Sequence, residues 1–248
     1  MTAWLDDLWT AITFATRLPI PHSAQAVNMA RAMRVLPVVG AAIGLVAALV
    51  QLALLRLSVP PLASAVLALG ATALLTGALH EDGFADVCDG FGGGRDREAK
   101  LAIMRDSRLG TYGGLALLTS FGARAAVLAA LPSGALIGAL VAAHALGRAA
   151  IPALALALPS ARQDGLAATA GRPGQGSVAL AALFGVVIAL LMLPFATALL
   201  AVIVAGLGVA VMGAVARWQI GGVTGDVLGG AEQVAEILVL LVVAARLS

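Results

Sequence analysis

The sequence predicts an all-α fold: a polytopic integral membrane bundle of about six to seven transmembrane helices, preceded by a helix at the membrane interface. Hydrophobic residues fill 61% of the 248 positions and charged residues 11%, against about 25% charged residues in soluble domains. The mean hydropathy is +1.02. Apolar runs of about 20 residues, enough to cross a bilayer, recur along the chain. We therefore predict one membrane domain over residues 1–248.

The apolar runs define the predicted spans. The run over 177–215 is too long for one crossing and contains Pro194, which cannot continue a helix because it lacks an amide hydrogen, so we interpret it as two spans. The last run holds Glu232 and Glu236 in its first half, which leaves the count between six and seven. The predicted spans are 35–57, 60–79, 110–131, 133–158, two within 177–215, and 227–245.

An amphipathic interfacial helix is predicted over residues 4–17, within an N-terminal segment that extends to residue 34. A poorly ordered terminus is the alternative. No signal peptide is expected in residues 1–34, because no basic region precedes a short apolar core there. The apolar side of the predicted helix consists of Trp4, Leu5, Leu8, Ile12 and Ala15.

The positive charges indicate which side of the membrane the polar segments face. Alternating crossings place four segments on one side, and these hold eleven of the fifteen Lys and Arg residues. By the positive-inside rule this side is cytoplasmic, so we expect a bacterial inner-membrane protein with a cytoplasmic active site. The net charge of +2 and the scarcity of aromatics among the basic residues argue against nucleic acid as a partner. The four segments are 1–34, 80–109, 159–176 and 217–226.

The segment 80–109 holds seven of the thirteen acidic residues of the chain. On a helix, Asp82, Asp86 and Asp89 fall within about 60° of one another and share one face. Such carboxylates repel one another unless a cation binds, and Mg²⁺ that also holds a phosphate suits hard oxygen ligands. We therefore predict these three as metal ligands and catalytic residues. The alternative is a solvated helix end.

Glycines and a histidine flank the acidic positions. Gly92 and Gly93 would let backbone N–H groups approach an anion, although a glycine run is equally typical of a flexible loop. His80 comes directly before the acidic positions. Arg17 and His22 flank a proline turn at the end of the interfacial helix. His80, Arg17 and the two glycines are candidate substrate ligands.

Basic residues follow on a second stretch compatible with a helix. Arg105 and Arg108 are three positions apart, and we predict that they bind phosphate from one helical face, because the guanidinium fork matches phosphate oxygens. Asp106 is predicted as a fourth metal ligand or a base. For the neighbouring basic residues at 95, 97 and 100, anchoring to lipid headgroups is the alternative.

A second acidic segment covers residues 217–236. Glu232 and Glu236 are four positions apart, enter a span where unpaired acids are costly, and are predicted as further metal ligands. Together with Asp226 they would complete a two-metal site on the same side of the membrane, with Thr224 as a neighbouring substrate ligand. The alternatives are that Asp226 caps the helix and that the glutamates are structural.

The motifs together resemble cobalamin synthase, the adenosylcobinamide-GDP ribazoletransferase family, from end to end of the chain. The resemblance rests on TRLPIP, PVVG, HEDGFADVCDGFGGG, IMRDSRLGTYG and GGVTGDVLGGAEQVAE, in this order. It implies an enzyme that joins adenosylcobinamide-GDP to α-ribazole or its 5′-phosphate with Mg²⁺ and releases GMP. The ribazole 3′-hydroxyl would attack the phosphorus attached to cobinamide, with Asp106 or Asp226 accepting its proton.

Two rival interpretations differ in class. Another metal-dependent membrane transferase, such as a CDP-alcohol phosphotransferase or an aromatic prenyltransferase, also uses Asp-rich helices. The pattern D-x-x-D-G-x-x-A-R followed by D-x-x-x-D of the first is not present, and the TGD segment is foreign to both. A secondary transporter would use the acids as an ion site near mid-membrane, whereas here they cluster toward one surface. The partners expected are small substrates and the lipid bilayer, and a homo-oligomer is left open.

Overall fold

A computed structural model describes residues 3–19 and 28–247, apart from the side chain of Leu166. Over these ranges the chain forms twelve α-helices, two short 3₁₀ turns and one isolated backbone bridge, with no named strand. The helices are α1 (Ala3–Ala15), α2 (Met29–Ala32), α3 (Leu36–Arg56), α4 (Pro61–Thr76), α5 (Leu79–Gly93), α6 (Arg97–Ile103), α7 (Thr111–Ala130), α8 (Leu136–Ala157), α9 (Leu166–Ala170), α10 (Gln175–Met192), α11 (Phe195–Ile220) and α12 (Gly225–Leu247).

The predicted polytopic helical bundle is confirmed. Among the described residues, six helical segments are long and apolar enough to cross a membrane, and they contain α3, α7, α8, α10, α11 and α12. The predicted span over 60–79 ends earlier than expected: α4 has 16 residues and passes as a span only together with α5, from which it is bent by 93°. Counting this bent pair gives up to seven spans.

Two left-handed residues cause the bend between α4 and α5. Gly77 has φ +69° and ends α4, and Ala78 has φ +55° directly before α5. A side chain at Gly77 would collide with the Arg17 side chain. The backbone N–H of Arg17 donates to the Leu75 carbonyl at 2.7 Å. Glycine is therefore required here for its conformation and for its size. The bend redirects the chain so that α5 presents the acidic motif to α7 and α12.

The two most buried spans, α8 and α12, form the centre of the bundle. The α3 and α8 backbones approach closely because Gly40 and Gly44 face the carbonyl groups of His144 and Leu140. Apolar side chains of α10 and α11, such as Leu191 and Leu207, point outward. This exposure fits contact with lipid on the outside of the bundle.

The helix predicted over residues 4–17 is present as α1, although part of the N-terminal segment, including His22, lies outside the described residues. Its protein-facing side contains Asp7, which is buried and pairs with Arg31 at 2.8 Å and Arg34 at 2.6 Å. Trp4 is 45% exposed and stacks on the Arg34 guanidinium at 3.6 Å. The buried acid fastens α1 to the start of the first span.

The close packing of α3 on α8 gives a test of the fold. A β-carbon at Gly44 would lie 2.9 Å from the Val141 Cα, so Gly44→Ala should lower the free energy of unfolding by about 1–3 kcal/mol. Gly122→Ala is the matched control, because no atom lies within 4 Å of its added β-carbon. Thermal unfolding in detergent measures both variants. Equal stability of the two would contradict the packing described.

Candidate active site

Acidic residues from two distant segments meet where α5 crosses the first turn of α12. Gly83 allows this contact, because a β-carbon there would lie 2.9 Å from the Asp226 Cα. Asp82 and Asp86 stand on either side of this glycine on α5, and Asp226 is the second residue of α12. The missing side chain at Gly83 therefore brings three carboxylates into one cluster, which we call the acidic cluster: Asp82, Asp86 and Asp226.

The charges of the acidic cluster oppose one another. The Asp86 carboxylate is repelled by Asp82 and Asp226, and Asp226 is repelled by Asp82 in turn. Asp82 is exposed and Asp86 half-buried, so their oxygens are accessible. Carboxylate oxygens that repel one another at an accessible site form the donor set that a hard divalent cation such as Mg²⁺ prefers. The donor chemistry of these side chains therefore suits the predicted metal, although the three carboxylates do not all lie within 4.8 Å of one another in the described structure.

An arginine that the sequence interpretation missed lies against the acidic cluster. The Arg162 guanidinium is 3.4 Å from the Asp226 carboxylate through Nη2, and its charge also acts on Asp86. Two backbone hydrogen bonds hold its loop: the Ala161 N–H donates to the Val223 carbonyl, and the Val223 N–H donates to the Pro159 carbonyl. Arg162 reaches the acidic cluster because segment 159–162 pairs with the chain just before Asp226. No local sequence pattern indicates this pairing, so the sequence did not predict the position of Arg162.

Thr224 has a capping role in the structure. Its buried hydroxyl accepts a hydrogen bond from the Val227 N–H at 3.2 Å and donates to the Asp226 carboxylate at 3.1 Å. Thr224 therefore caps α12 and orients Asp226, whereas the sequence left capping to Asp226 itself. These contacts are within the protein, and the role of Thr224 as a substrate ligand stays a prediction.

Asp89 differs from its predicted role in a similar way. Its carboxylate is buried and accepts hydrogen bonds from the Gly110 and Gly113 N–H groups, both at 2.8 Å. Because the first amides of a helix lack partners within the helix, Asp89 satisfies the start of α7 and fastens it to α5. Asp89 is thus engaged by backbone amides, unlike Asp82 and Asp86, although its charge also acts on Asp86.

The prediction that Arg105 and Arg108 share one helical face is corrected by the structure, while their binding of phosphate stays a prediction. Helix α6 ends at Ile103, so the two arginines do not share a helical face. Arg105 binds the exposed Asp164 carboxylate at 2.6 and 2.8 Å. Arg108 is itself highly exposed and binds Asp106.

The engagement of Asp106 also bears on its predicted roles. Hydrogen bonds from Arg108 lower the pKa of Asp106 to about 2. In the same way, hydrogen bonding to Arg105 lowers the pKa of Asp164. A carboxylate with so low a pKa is a weak base at neutral pH. Asp106 is therefore engaged by Arg108 in this arrangement, and its predicted role as a metal ligand or base stays a prediction.

Gly92 and Gly93 form the last turn of α5 and not a loop that cradles an anion. A β-carbon at Gly92 would lie 2.6 Å from the Tyr112 ring, so this glycine permits close packing on the start of α7. The basic residues that follow are also engaged by protein: Arg97 donates to the Ile220 carbonyl at 2.9 Å, and Lys100 contacts Gln219. These contacts tie α6 to the end of α11.

A network of buried charges lies deeper in the bundle, and we call it the buried network. Arg148 of α8 binds Glu232 of α12 at 2.6 Å, and Arg124 of α7 binds Glu236 of α12 at 2.8 Å. His144 lies 2.9 Å from Glu236 and 3.1 Å from Arg148. All five side chains are at most 3% exposed. The network thus joins three spans through charged pairs in the apolar interior.

Helix α5 is fastened to the buried network through the two residues before Asp82. His80 lies 3.6 Å from the Glu232 carboxylate and 3.4 Å from Arg148. Glu81 lies 3.6 Å from Arg124. The candidate substrate ligand His80 therefore faces the interior of the bundle. Together the two contacts set the position of the α5 turn that carries Asp82.

Glu232 and Glu236, which the sequence predicted as metal ligands together with Asp226, lie deeper along α12 than Asp226. They come six and ten residues after Asp226, which is about 9 and 15 Å along the helix axis. With His144 they offer ligand atoms within 4.8 Å of one another, close enough to share an ion. Their oxygens face arginines instead, because Arg148 binds one carboxylate and Arg124 the other. The structure thus separates them from the acidic cluster and favours the structural alternative.

Comparison with known proteins identifies the family. Residues 7–244 match the family model described as cobalamin-5-phosphate synthase. The chain belongs to this family. It is 50% identical to the adenosylcobinamide-GDP ribazoletransferase of Bradyrhizobium diazoefficiens over 244 residues, covering 97% of this chain and 94% of the relative. No solved structure matches.

Further relatives of the cobalamin-5-phosphate synthase family carry the same name. The adenosylcobinamide-GDP ribazoletransferase of Mesorhizobium japonicum is 45% identical, covering 98% of this chain and 95% of the relative. That of a Sinorhizobium species is 42% identical, covering 95% and 94%. The resemblance noted from the motifs is confirmed, and the chain is a transferase enzyme of cobalamin biosynthesis.

The buried network predicts strong energetic coupling between α8 and α12. Arg148→Met should lower the free energy of unfolding by about 3–5 kcal/mol, because it leaves the Glu232 carboxylate buried without its partner. The double variant Arg148→Met with Glu232→Met should recover much of this loss, since no uncompensated charge remains. Chemical unfolding of the single and double variants in detergent measures the coupling. Additive losses would show that the pair is not coupled.

Proposed function

We propose that the chain transfers the phosphocobinamide part of adenosylcobinamide-GDP to α-ribazole, or to its 5′-phosphate, and releases GMP. The products are adenosylcobalamin, or its 5′-phosphate, and GMP. The names of the relatives support this reaction. The observation that carries it in the structure is the acidic cluster, in which the α5 and α12 segments contact each other at Gly83.

Asp82 and Asp86 would hold Mg²⁺, since both are accessible and neither is engaged by a short ion pair in the described structure. The ion, when bound, supplies positive charge to the oxygens of the diphosphate. Phosphoryl transfer depends mainly on positioning and charge neutralisation. The rigid placement of these carboxylates by α5 therefore supplies what the reaction requires from the protein.

Asp226 would accept the proton of the attacking hydroxyl. Of the two carboxylates that the sequence offered for this role, Asp226 lies in the acidic cluster, while Asp106 is engaged by Arg108. The ribazole 3′-hydroxyl oxygen forms the new bond to the phosphorus attached to cobinamide. The bond from this phosphorus to the bridging oxygen breaks, and GMP leaves with the bridging oxygen. The Thr224 hydroxyl orients Asp226 for this step.

The proposed membrane is the bacterial inner membrane, with the acidic cluster on its cytoplasmic side. The cluster lies at the start of α12 and on α5, next to the loops that carry most of the positive charge. The positive-inside rule supports a cytoplasmic position for these loops. The nucleotide substrate would then reach the site from the cytoplasm.

Replacing a cluster carboxylate tests the catalytic proposal. Asp86→Asn should lower GMP release from adenosylcobinamide-GDP by about 100-fold or more, because one charged metal ligand is lost. Its thermal stability should not fall, since removing a mutually repelling charge does not destabilise the fold. Glu98→Gln is the matched control, because Glu98 is an exposed acid outside the cluster. Full activity of Asp86→Asn at every Mg²⁺ concentration would refute the metal site.

The proposed orientation is tested with fusion reporters. A reporter fused after Ser160 should give a cytoplasmic signal, and one fused after Ser58 a periplasmic signal, because three crossings separate the two loops when the bent pair of α4 and α5 counts as one span. Activity of alkaline phosphatase and green fluorescence measure the two locations. A periplasmic signal after Ser160 would overturn the orientation.

A further inference from the structure

The strongest unassigned feature is the guanidinium of Arg162. Its contacts with protein are long, at 3.4 Å from Nη2 to Asp226 and 3.9 Å from Nε to Asp164. Its third nitrogen, Nη1, is buried without a hydrogen-bond partner among the described residues. A buried N–H group without an acceptor is costly, and guanidinium offers five donors in a fixed fork. Arg162 therefore keeps donor capacity beside the acidic cluster.

The position of Arg162 is fixed from both sides. The buried Ala161 before it donates its N–H to the Val223 carbonyl at 2.8 Å. The Ala161 carbonyl also accepts a hydrogen bond from Arg97, which bonds the Ile220 carbonyl as well. The Arg162 side chain is only 13% exposed. The backbone therefore holds this guanidinium next to the cluster, unlike a freely moving surface arginine.

The two arginines that the sequence predicted to bind phosphate are occupied by carboxylates. Arg105 has a short bidentate bond to Asp164, and Arg108 has one to Asp106. Both arginines are more than half exposed, whereas Arg162 is largely buried. Arg162 is also the arginine whose charge acts on both Asp86 and Asp226. It is therefore better placed than Arg105 or Arg108 to meet an anion held at the cluster.

We infer that Arg162 is a substrate-binding residue whose guanidinium contacts the diphosphate bridge of the nucleotide substrate opposite the acidic cluster. The inference rests on the proposed function, since that function brings a diphosphate to the cluster. Three carboxylates repel a diphosphate, so the site requires a positive group of its own beside the metal ligands. Arginine suits this task because its fork donates two parallel hydrogen bonds to phosphate oxygens.

Steady-state kinetics of Arg162 variants test the inference. Adenosylcobinamide-GDP is varied with α-ribazole, which carries no phosphate, at saturation. Arg162→Gln should lower kcat/KM for adenosylcobinamide-GDP by about 10- to 100-fold, the range expected for a lost charged hydrogen bond. Arg162→Lys should recover part of the loss, because it keeps the charge without the fork. The KM for α-ribazole should change less than about twofold, as expected when only the diphosphate contact is lost.

Arg172→Gln is the matched control. Arg172 lies on the same loop segment and donates to the Leu156 carbonyl at 3.1 Å, away from the acidic cluster. It should keep the kinetics of the wild type. Unchanged kcat/KM in Arg162→Gln, or an equal rise in both KM values, would overturn the inference. A defect seen only with α-ribazole 5′-phosphate would also overturn it, because Arg162 would then bind that phosphate.

Binding of inorganic pyrophosphate with Mg²⁺ separates failure of the inference from failure of the proposed function. Wild type should bind pyrophosphate about tenfold or more tightly than Arg162→Lys, even if neither protein turns over the proposed substrates. Equal pyrophosphate affinity with normal turnover would defeat the inference alone. Absence of turnover in wild type, with affinity that depends on Arg162, would defeat the proposed function alone. The conservative lysine variant covers the case in which Arg162→Gln does not fold.

Discussion

The close contact of α5 with the start of α12 is the constraint on which the rest of the structure depends. Two glycines permit it: Gly83 faces the Asp226 backbone, and Gly229 faces the His80 backbone. Small residues at such a crossing let two helices approach without voids. Because of this approach, carboxylates from segments about 140 residues apart in the chain share one site. Their mutual repulsion would separate them if the helices were free to move.

The buried network supplies the opposing force. His80 and Glu81 reach the charged pairs of α7, α8 and α12, and Asp82 is the next residue. A buried ion pair is weak support for stability alone, because removing two charges from water costs about as much as their attraction returns. The buried network instead fixes the register of α5 against α7, α8 and α12, because a shift of α5 by one residue would misplace both His80 and Glu81. The same turn of α5 thus contacts the buried network through His80 and Glu81 and carries the exposed Asp82.

The sequence predicted the helices well because hydrophobicity alone selects membrane spans. It did not predict the bend at Gly77, since the left-handed conformation there depends on how Arg17 packs against it. It named Asp82, Asp86 and Asp226 correctly as neighbours through the motifs of two segments. It did not indicate that Arg162 lies beside Asp226, because helical spacing is a local signal, whereas the bridge between Ser160 and Val223 is a long-range contact.

The free-energy cost of burying a charge explains why the three acidic residues of α12 have different partners. Near a membrane surface a carboxylate stays partly hydrated, and the free N–H groups at a helix start favour negative charge. Asp226, in the first turn, has a long contact with Arg162 and a hydrogen bond from the Thr224 hydroxyl instead of a short ion pair. Two to three turns deeper hydration is lost, and Glu232 and Glu236 are each compensated by an arginine at 2.6 and 2.8 Å. One helix thereby carries a partly exposed carboxylate at its start and two carboxylates paired with arginine in its interior. The proposed chemistry belongs at the start of the helix, because the carboxylate there is not held by a short contact with arginine.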